Sequence, residues 1–359
     1  MIEQSGIKYN KQFLEKGLYS GNLKHYQFYN VDFDLPAYAF HAFKKKNFPN
    51  ISYISKQLNK TYFDIEVFIE EGVFPDAELA ERPINSIATY NNMTNTATAY
   101  YLKSVCVLEN SRMVTFTPLI NDEEEVKKIV LKEYEELCIQ DPNYKINDLK
   151  IEIHGFDNEI ALLTKFFQDR IQERTLFLIG FNSNLFDNPY IFTRLINLVG
   201  IQEAQLIVSE FGEFTSNGKF FRLSDYILAD LLEMYKPVDQ GGGGFGRSLP
   251  DYKLKSILKK EVKIDKLDLP GGFNENYINN LPGFILYNII DTVPIFKLDS
   301  KLSFLESQWS LNSHNNSIMS ATMGGRSLMY TYRNNLHYTM QNQLLRYTKL
   351  NNEIFYNLN

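Results

Sequence analysis

Two carboxylates stand two residues apart inside an apolar stretch, and few folds tolerate such a pair. The stretch is TYFDIEVFI, residues 61–69. Its β-branched and aromatic content and its length read as a β-strand. Side chains alternate along a strand, so Asp64 and Glu66 share one face with Tyr62, while Phe63, Ile65 and Val67 point to the other. Like charges side by side repel, and apolar neighbours make their desolvation costly unless something cationic sits between them. Taken alone, the pattern is better explained by an edge strand whose acidic face is solvated.

Two further acids change that balance. Asp187, in GFNSNLFDNPY, follows closely on the apolar strand TLFLIGF and starts a helix, where alone it would be an N-cap. Asp291, in ILYNIIDTVPIF, lies four residues after Tyr287, so in a helix the two share a face. Four acids, each at the end or middle of an apolar element, point to a shared cause, which is convergence on divalent cations. Oxygen ligands without cysteine or histidine favour Mg²⁺ or Mn²⁺. Two such ions held ~3.5–4 Å apart would stabilise the attacking and the leaving oxygen of a phosphodiester. The histidines (His25, His41, His154, His314, His337) have no ligand-like spacing, and Cys106 and Cys138 make neither a zinc motif nor a disulfide framework.

Three regions are expected. Residues 1–60, with Lys44–Lys46, Pro36 and Pro49, read as a small irregular or β-rich lead-in. Residues 61–300 alternate between strand-like and helix-like segments. PINSIATYN and ATAYYLKSV are expected as antiparallel partners of the first strand. A helix, EEEVKKIVLKEYEELC, opens with acids in its first turn. A strand near Leu149–Ile153 precedes the helix NEIALLTKFFQDRI, with Asp157 as cap candidate. TLFLIGF is then a short buried strand, and FDNPYIFTRLINLV a helix with Pro189 in its first turn. LIVSEFGEFTSNGKFFRLSDY reads as a β-hairpin turning at Asn217-Gly218. A meander followed by strand–helix alternation predicts an α/β protein, a mixed sheet covered by helices. Gly241–Gly244 lacks the spacing of a phosphate-binding loop and reads as a surface loop. Residues 301–359 read as a helical, Asn-rich tail.

Hydrophobic residues at 44% and aromatics at 14% supply a large core with rings left for stacking. The net charge of −6 advertises no blanket basic surface, but a local groove or a metal site is enough for nucleic acid. No apolar run reaches the ~18 residues of a membrane helix, and the first residues contain no signal-peptide core. The expectation is a cytoplasmic protein with reduced cysteines and no membrane partner.

The motifs carry a family resemblance. DIE at 64–66, GFNSNLFDNPY at 180–190 and YNIID at 287–291 are similar to the three exonuclease motifs of family-B DNA polymerases, nearest to those of large tailed phages. They come in the family's order, 123 residues from Asp64 to Asp187 and 104 more to Asp291. The flanks GVFPDAELAERPINSIATY, FDNEIALLTKFF, LADLLEMYK and SLPDYKLKSIL are similar too, so the likeness covers roughly residues 61–335. It implies an RNase H-like 3′→5′ exonuclease of the tyrosine-containing subclass, since Leu286 stands where the other subclass has histidine. It further implies that Asp64, Glu66 and Asp291 hold one metal ion. Asp64 would bridge to a second ion, held also by Asp187 through water, and Tyr287 would orient the attacking water. Phe74, Asn182 and Phe186 match residues that touch the DNA 3′ end, although Phe74 equally suits ordinary core. The hairpin region matches one that separates primer from template, or is plainly structural.

No segment resembles the family's polymerase motifs, neither an SLYPS-like stretch nor KxxxNSxYG nor YxDTD. Two histories fit, a split replicase whose nuclease half is a separate protein or a truncated fragment of a longer polymerase; the expectation is the first, a proofreading half acting on single-stranded or frayed DNA 3′ ends beside a separate palm-carrying subunit. The alternatives are a catalytically idle DNA-binding or scaffold subunit of a replisome, and an exoribonuclease of the same fold.

Overall fold

The acidic strand is β1 (Lys60–Val67), and it does not lie at a sheet edge. Antiparallel to it runs β2 (Ile84–Asn91), in a register that sets Asp64 opposite Ala88 and Glu66 opposite Ser86. β3 (Thr96–Leu102) returns antiparallel to β2, as the meander reading expected. Three parallel strands complete the sheet: β6 (Lys150–Phe156) beside β3, β7 (Phe177–Gly180) beside β1, and β10 (Ile227–Asp230) beside β7. The spatial order is β10-β7-β1-β2-β3-β6. An edge strand with a solvated acidic face is thereby excluded. Two small hairpins stand apart from this sheet, β4 (Val105–Glu109) with β5 (Arg112–Phe116) and β8 (Phe214–Asn217) with β9 (Phe220–Leu223).

This computed structural model describes residues 58–309 except 70–73, 110, 210–213, 218–219, 224, 240–250, 266, 268 and 308. Residues 57–304 form one compact unit; residues 1–56 and 305–359 group as a second, almost all of it outside the described residues. The Gly241–Gly244 loop and nearly all of the expected lead-in and tail thus lie outside them.

Helices cover both faces of the sheet. On the Phe63 face lies α2 (Glu159–Gln172), its Phe166 ring 6.2 Å from that of Phe63, backed by α3 (Asp187–Val199) and α4 (Ile201–Val208). On the Tyr62 face lies α8 (Leu281–Leu302), with α1 (Glu123–Gln140) against it. The Phe296 ring of α8 meets the Tyr62 ring at 5.6 Å. Shorter helices are α5 (Leu231–Asp239), α6 (Leu254–Glu261) and α7 (Phe273–Asn279). This is the mixed sheet between helices expected of an RNase H-like fold.

Local chemistry explains the boundaries. Asp122 caps α1 by accepting from Glu125 N. α2 is capped by Asn158, which accepts from Ala161 N, and not by Asp157 one residue earlier as expected. α3 stops at Gly200, whose φ of 81° a side chain would resist, and α4 starts there, burying Ala204 and Val208 one turn apart. Leu206–Val208, expected to open a hairpin, therefore finish a helix, and the hairpin proper begins at Phe214. Its Phe221 ring stacks on Phe192 of α3 at 4.9 Å. α8 is long and apolar enough to cross a membrane, but 83% of its most apolar window is buried inside the fold.

Candidate active site

The register of α8 on β1 decides which acids meet. Lys60, Tyr62, Asp64 and Glu66 line the β1 face that α8 covers. At one end, Asp299 of α8 takes a 2.6 Å ion pair from Lys60 Nζ and a 2.7 Å hydrogen bond from the Tyr62 hydroxyl, with all three groups buried. At the other, Asn288 Nδ2 donates to Asp64 Oδ2 at 3.0 Å. From Asp299 back to Asp291 is eight helical residues, ~12 Å. From Lys60 on to Asp64 is four strand residues, ~13 Å. The matching lengths carry Asp291 to the acidic pair, and one carboxylate oxygen each from Asp64, Glu66 and Asp291 lie within 4.8 Å of one another. Asp291 is buried and the other two half-buried.

Asp187 arrives from the other side of β1. β7 pairs with β1 only as far as Tyr62, so beyond that point the edge of β1 is open to the loop that leaves β7. A Cβ on Gly180 would fall 2.4 Å from that of Ser183, so the turn admits only glycine. The loop is then held by the Asp230 carboxylate at the end of β10, which accepts from the N–H groups of Asn182 and Asn184 at 3.0 Å each. The same carboxylate accepts from Leu232 N at 2.9 Å and Glu233 N at 3.4 Å. Asn182 accommodates this with a left-handed φ of 61°. Asp187 follows as the first residue inside α3; no side-chain cap bond forms at that end, so the N-cap reading fails.

The Asp187 carboxyl is buried, and burial pushes its pKa up to about 7, with the Asp230 charge adding to the rise and the N–H groups of Asp187 itself and Ile65 opposing it. Asp187 thus lies against the Ile65 backbone, between the two acids of β1, but outside the close-set three. Burial likewise raises Asp230, against its N–H donors.

The aromatic candidates fall into two groups. Phe74 is 84% exposed, which removes the core reading, and its ring lies 5.7 Å from that of Phe186, which in turn meets Tyr190 at 5.4 Å. α3 grips the segment after Phe74: Tyr190 Oη donates to Arg82 O at 2.8 Å, Asn197 Nδ2 to Leu79 O at 2.8 Å, and Arg194 to Glu81 O at 2.8 Å while pairing with Glu159 at 2.7 Å. Tyr287 is buried one turn before Asp291, with the half-exposed Phe273 ring edge-on to it at 5.9 Å.

Three residues at this site escaped the sequence reading. Asn288 sits inside YNIID, three residues before Asp291 and so on its face of the helix. Asp230 ends an apolar strand, the same signal that singled out Asp187. Phe273 leaves no sequence signal.

A close-set trio of carboxylates, with a fourth against the Ile65 backbone, is the hard-oxygen donor set that suits Mg²⁺ or Mn²⁺. The exonuclease-domain model of DNA polymerase family B matches residues 19–257, which include Asp64, Glu66 and Asp187 and stop before Tyr287 and Asp291. That likeness begins N-terminal of the motifs, inside the stretch expected as a lead-in. The chain is 28% identical over 262 residues to the DNA-directed DNA polymerase of Escherichia phage RB69, covering 71% of this chain and 27% of that one. To the DNA-directed DNA polymerase of Enterobacteria phage T4 it is 26% identical over 162 residues, covering 42% and 17%. It therefore spans less than a third of either relative's length. The chain belongs to DNA polymerase family B, within that family's exonuclease domain.

Proposed function

We propose that this protein is a 3′→5′ exodeoxyribonuclease that removes nucleotides from the 3′ end of single-stranded or frayed DNA. The observation that carries the reading is the meeting of Asp64 and Glu66 with Asp291, drawn from residues more than 200 apart in the chain. Asp64, Glu66 and Asp291 would hold one Mg²⁺ or Mn²⁺ ion, and Asp187, with Asp64, a second. When bound, the two ions supply charge stabilisation to the attacking and leaving oxygens of the phosphodiester. Tyr287 is assigned to orienting the attacking water through its phenol, one helical turn from Asp291. Phe74 and Phe186 are assigned to stacking on the terminal bases, which tolerates any base, and Asn182 to the 3′ end itself. Proofreading also needs a polymerase to proofread, so a palm-carrying subunit is the proposed partner.

Digestion of a 5′-labelled single-stranded oligonucleotide tests the reading, with Mg²⁺ or EDTA and with wild type or Asp64→Ala. A Mg²⁺-dependent ladder shortening from the 3′ end, absent in the variant, is the expected result. No digestion by folded wild type, alone or with a polymerase co-purified from its source, would leave the idle scaffold as the better reading. Faster digestion of a matched RNA would favour the exoribonuclease.

A further inference from the structure

Asn288 is fully buried, and both ends of its amide are engaged. Ser86 Oγ donates to its Oδ1 at 2.8 Å, and its Nδ2 donates to Asp64 Oδ2 at 3.0 Å. Ser86 lies on β2 directly across from Glu66. The amide thus reaches from α8 between the two strands, in contact with one acid and linked to the position facing another. The Asp64 carboxylate, which can only accept, decides the amide's orientation, and the Ser86 hydroxyl donates to the oxygen end that this leaves. Turned over, it would set a carbonyl oxygen against a carboxylate oxygen in a buried site, which low dielectric makes costly. An aliphatic side chain there would take the Nδ2 donor away from the Asp64 carboxylate, and an acid would add a like charge beside the other three.

We propose that Asn288, locked by Ser86, is a positioning residue that sets the rotamer of Asp64 and so preforms the carboxylate trio for a divalent cation. This rests on the reading of that trio as a metal site. Partners one shell out from a ligand typically change metal affinity ~10–100-fold when removed.

Mn²⁺ titration of the metal-free 359-residue chain, with free Mn²⁺ followed by electron paramagnetic resonance, tests the proposal without reference to activity. Asn288→Leu is expected to raise the Mn²⁺ dissociation constant ~10–100-fold. Ser86→Ala is expected to raise it by a smaller factor, and the double variant to bind no worse than Asn288→Leu, because Ser86 acts only through Asn288. A merely structural role would lower the melting temperature and leave this non-additivity absent. Wild-type affinity in folded Asn288→Leu overturns the inference. If Asn288→Leu does not fold, unchanged affinity in Ser86→Ala overturns it instead. If wild type binds Mn²⁺ no better than Asp64→Ala or Asp291→Asn, the metal reading itself falls, and the inference with it. Loss of binding in Asp291→Asn with none in Asn288→Leu sinks the inference alone.

Discussion

Replacing Asp187 by asparagine is expected to make the metal-free protein more stable at pH 8. Burial holds this carboxyl at a pKa of about 7, far above the range near 4 where an unfolded aspartate titrates. Between those values the folded protein binds a proton that the unfolded chain does not. A raised acid pKa therefore stabilises the fold as pH falls through 7, fully below about 4, and this stabilisation is lost as pH rises. At pH 8 the ionised group instead costs the fold about 3 pKa units, or ~4 kcal/mol as a ceiling. Asparagine keeps the volume and a carbonyl acceptor for the Ile65 N–H but carries no charge.

Urea unfolding in EDTA at pH 8, 7, 6 and 5, with the wild-type free energy subtracted from that of Asp187→Asn, isolates this group. Subtraction cancels the other carboxyls that burial raises, such as Glu173 and Glu233. The variant should lead by up to ~4 kcal/mol at pH 8, and its lead should shrink steadily toward pH 5. Added Mg²⁺ should reverse the order, because only wild type has the full ligand set. A variant no more stable than wild type at pH 8, or a difference that ignores pH, would refute the reasoning: the carboxyl would then be ionised and well compensated in the fold.

Three more outcomes are expected. Glu66→Gln or Asp291→Asn should abolish Mg²⁺-dependent digestion of a 5′-labelled oligonucleotide while the circular dichroism spectrum is unchanged. Phe74→Ala should leave the melting temperature alone, because the ring is 84% exposed, but raise KM for single-stranded DNA. Losing one stacked base at ~1–3 kcal/mol corresponds to a ~5- to 150-fold rise. Asp299→Ala should lower the unfolding free energy by ~3–5 kcal/mol in urea titrations, since it breaks a buried ion pair by removing the carboxylate that faces the Lys60 ammonium.

Much of the site was legible because its spacing is local. A period of two put Asp64 and Glu66 on one strand face, and a separation of four put Tyr287 and Asp291 on one helix face. What failed was non-local or a matter of one residue. Whether β1 lay at the edge depended on β7 and β10, which arrive more than 100 residues later. The start of α2 turned on whether Asp157 or Asn158 adopted the capping conformation, a choice between adjacent residues that both favour it. The hairpin was expected too early because Leu206–Val208 is as apolar as a strand, and only the break at Gly200 turns it into a separate helix.

The harder distinction is between Asp291 and Asp299. Both are acids in one buried helix, two turns and a little more apart, and both face β1. No local pattern separates them, and the sequence reading singled out only Asp291. The structure separates them by what they meet. Asp299 reaches a lysine and a phenol donor, so its charge is balanced within the fold and its work is to fix the register of α8. Asp291 reaches two more carboxylates, a gathering of like charge that costs stability unless a cation joins it. The two roles are linked, because the matched lengths along α8 and β1 let the ion pair at Asp299 deliver Asp291 to its place. Substituting Asp299 with asparagine should therefore disturb Mn²⁺ binding roughly 12 Å away, through register and not through charge. Restoring the ion pair in the reverse sense, with Lys60→Asp and Asp299→Lys together, should recover part of that binding if register is what was lost.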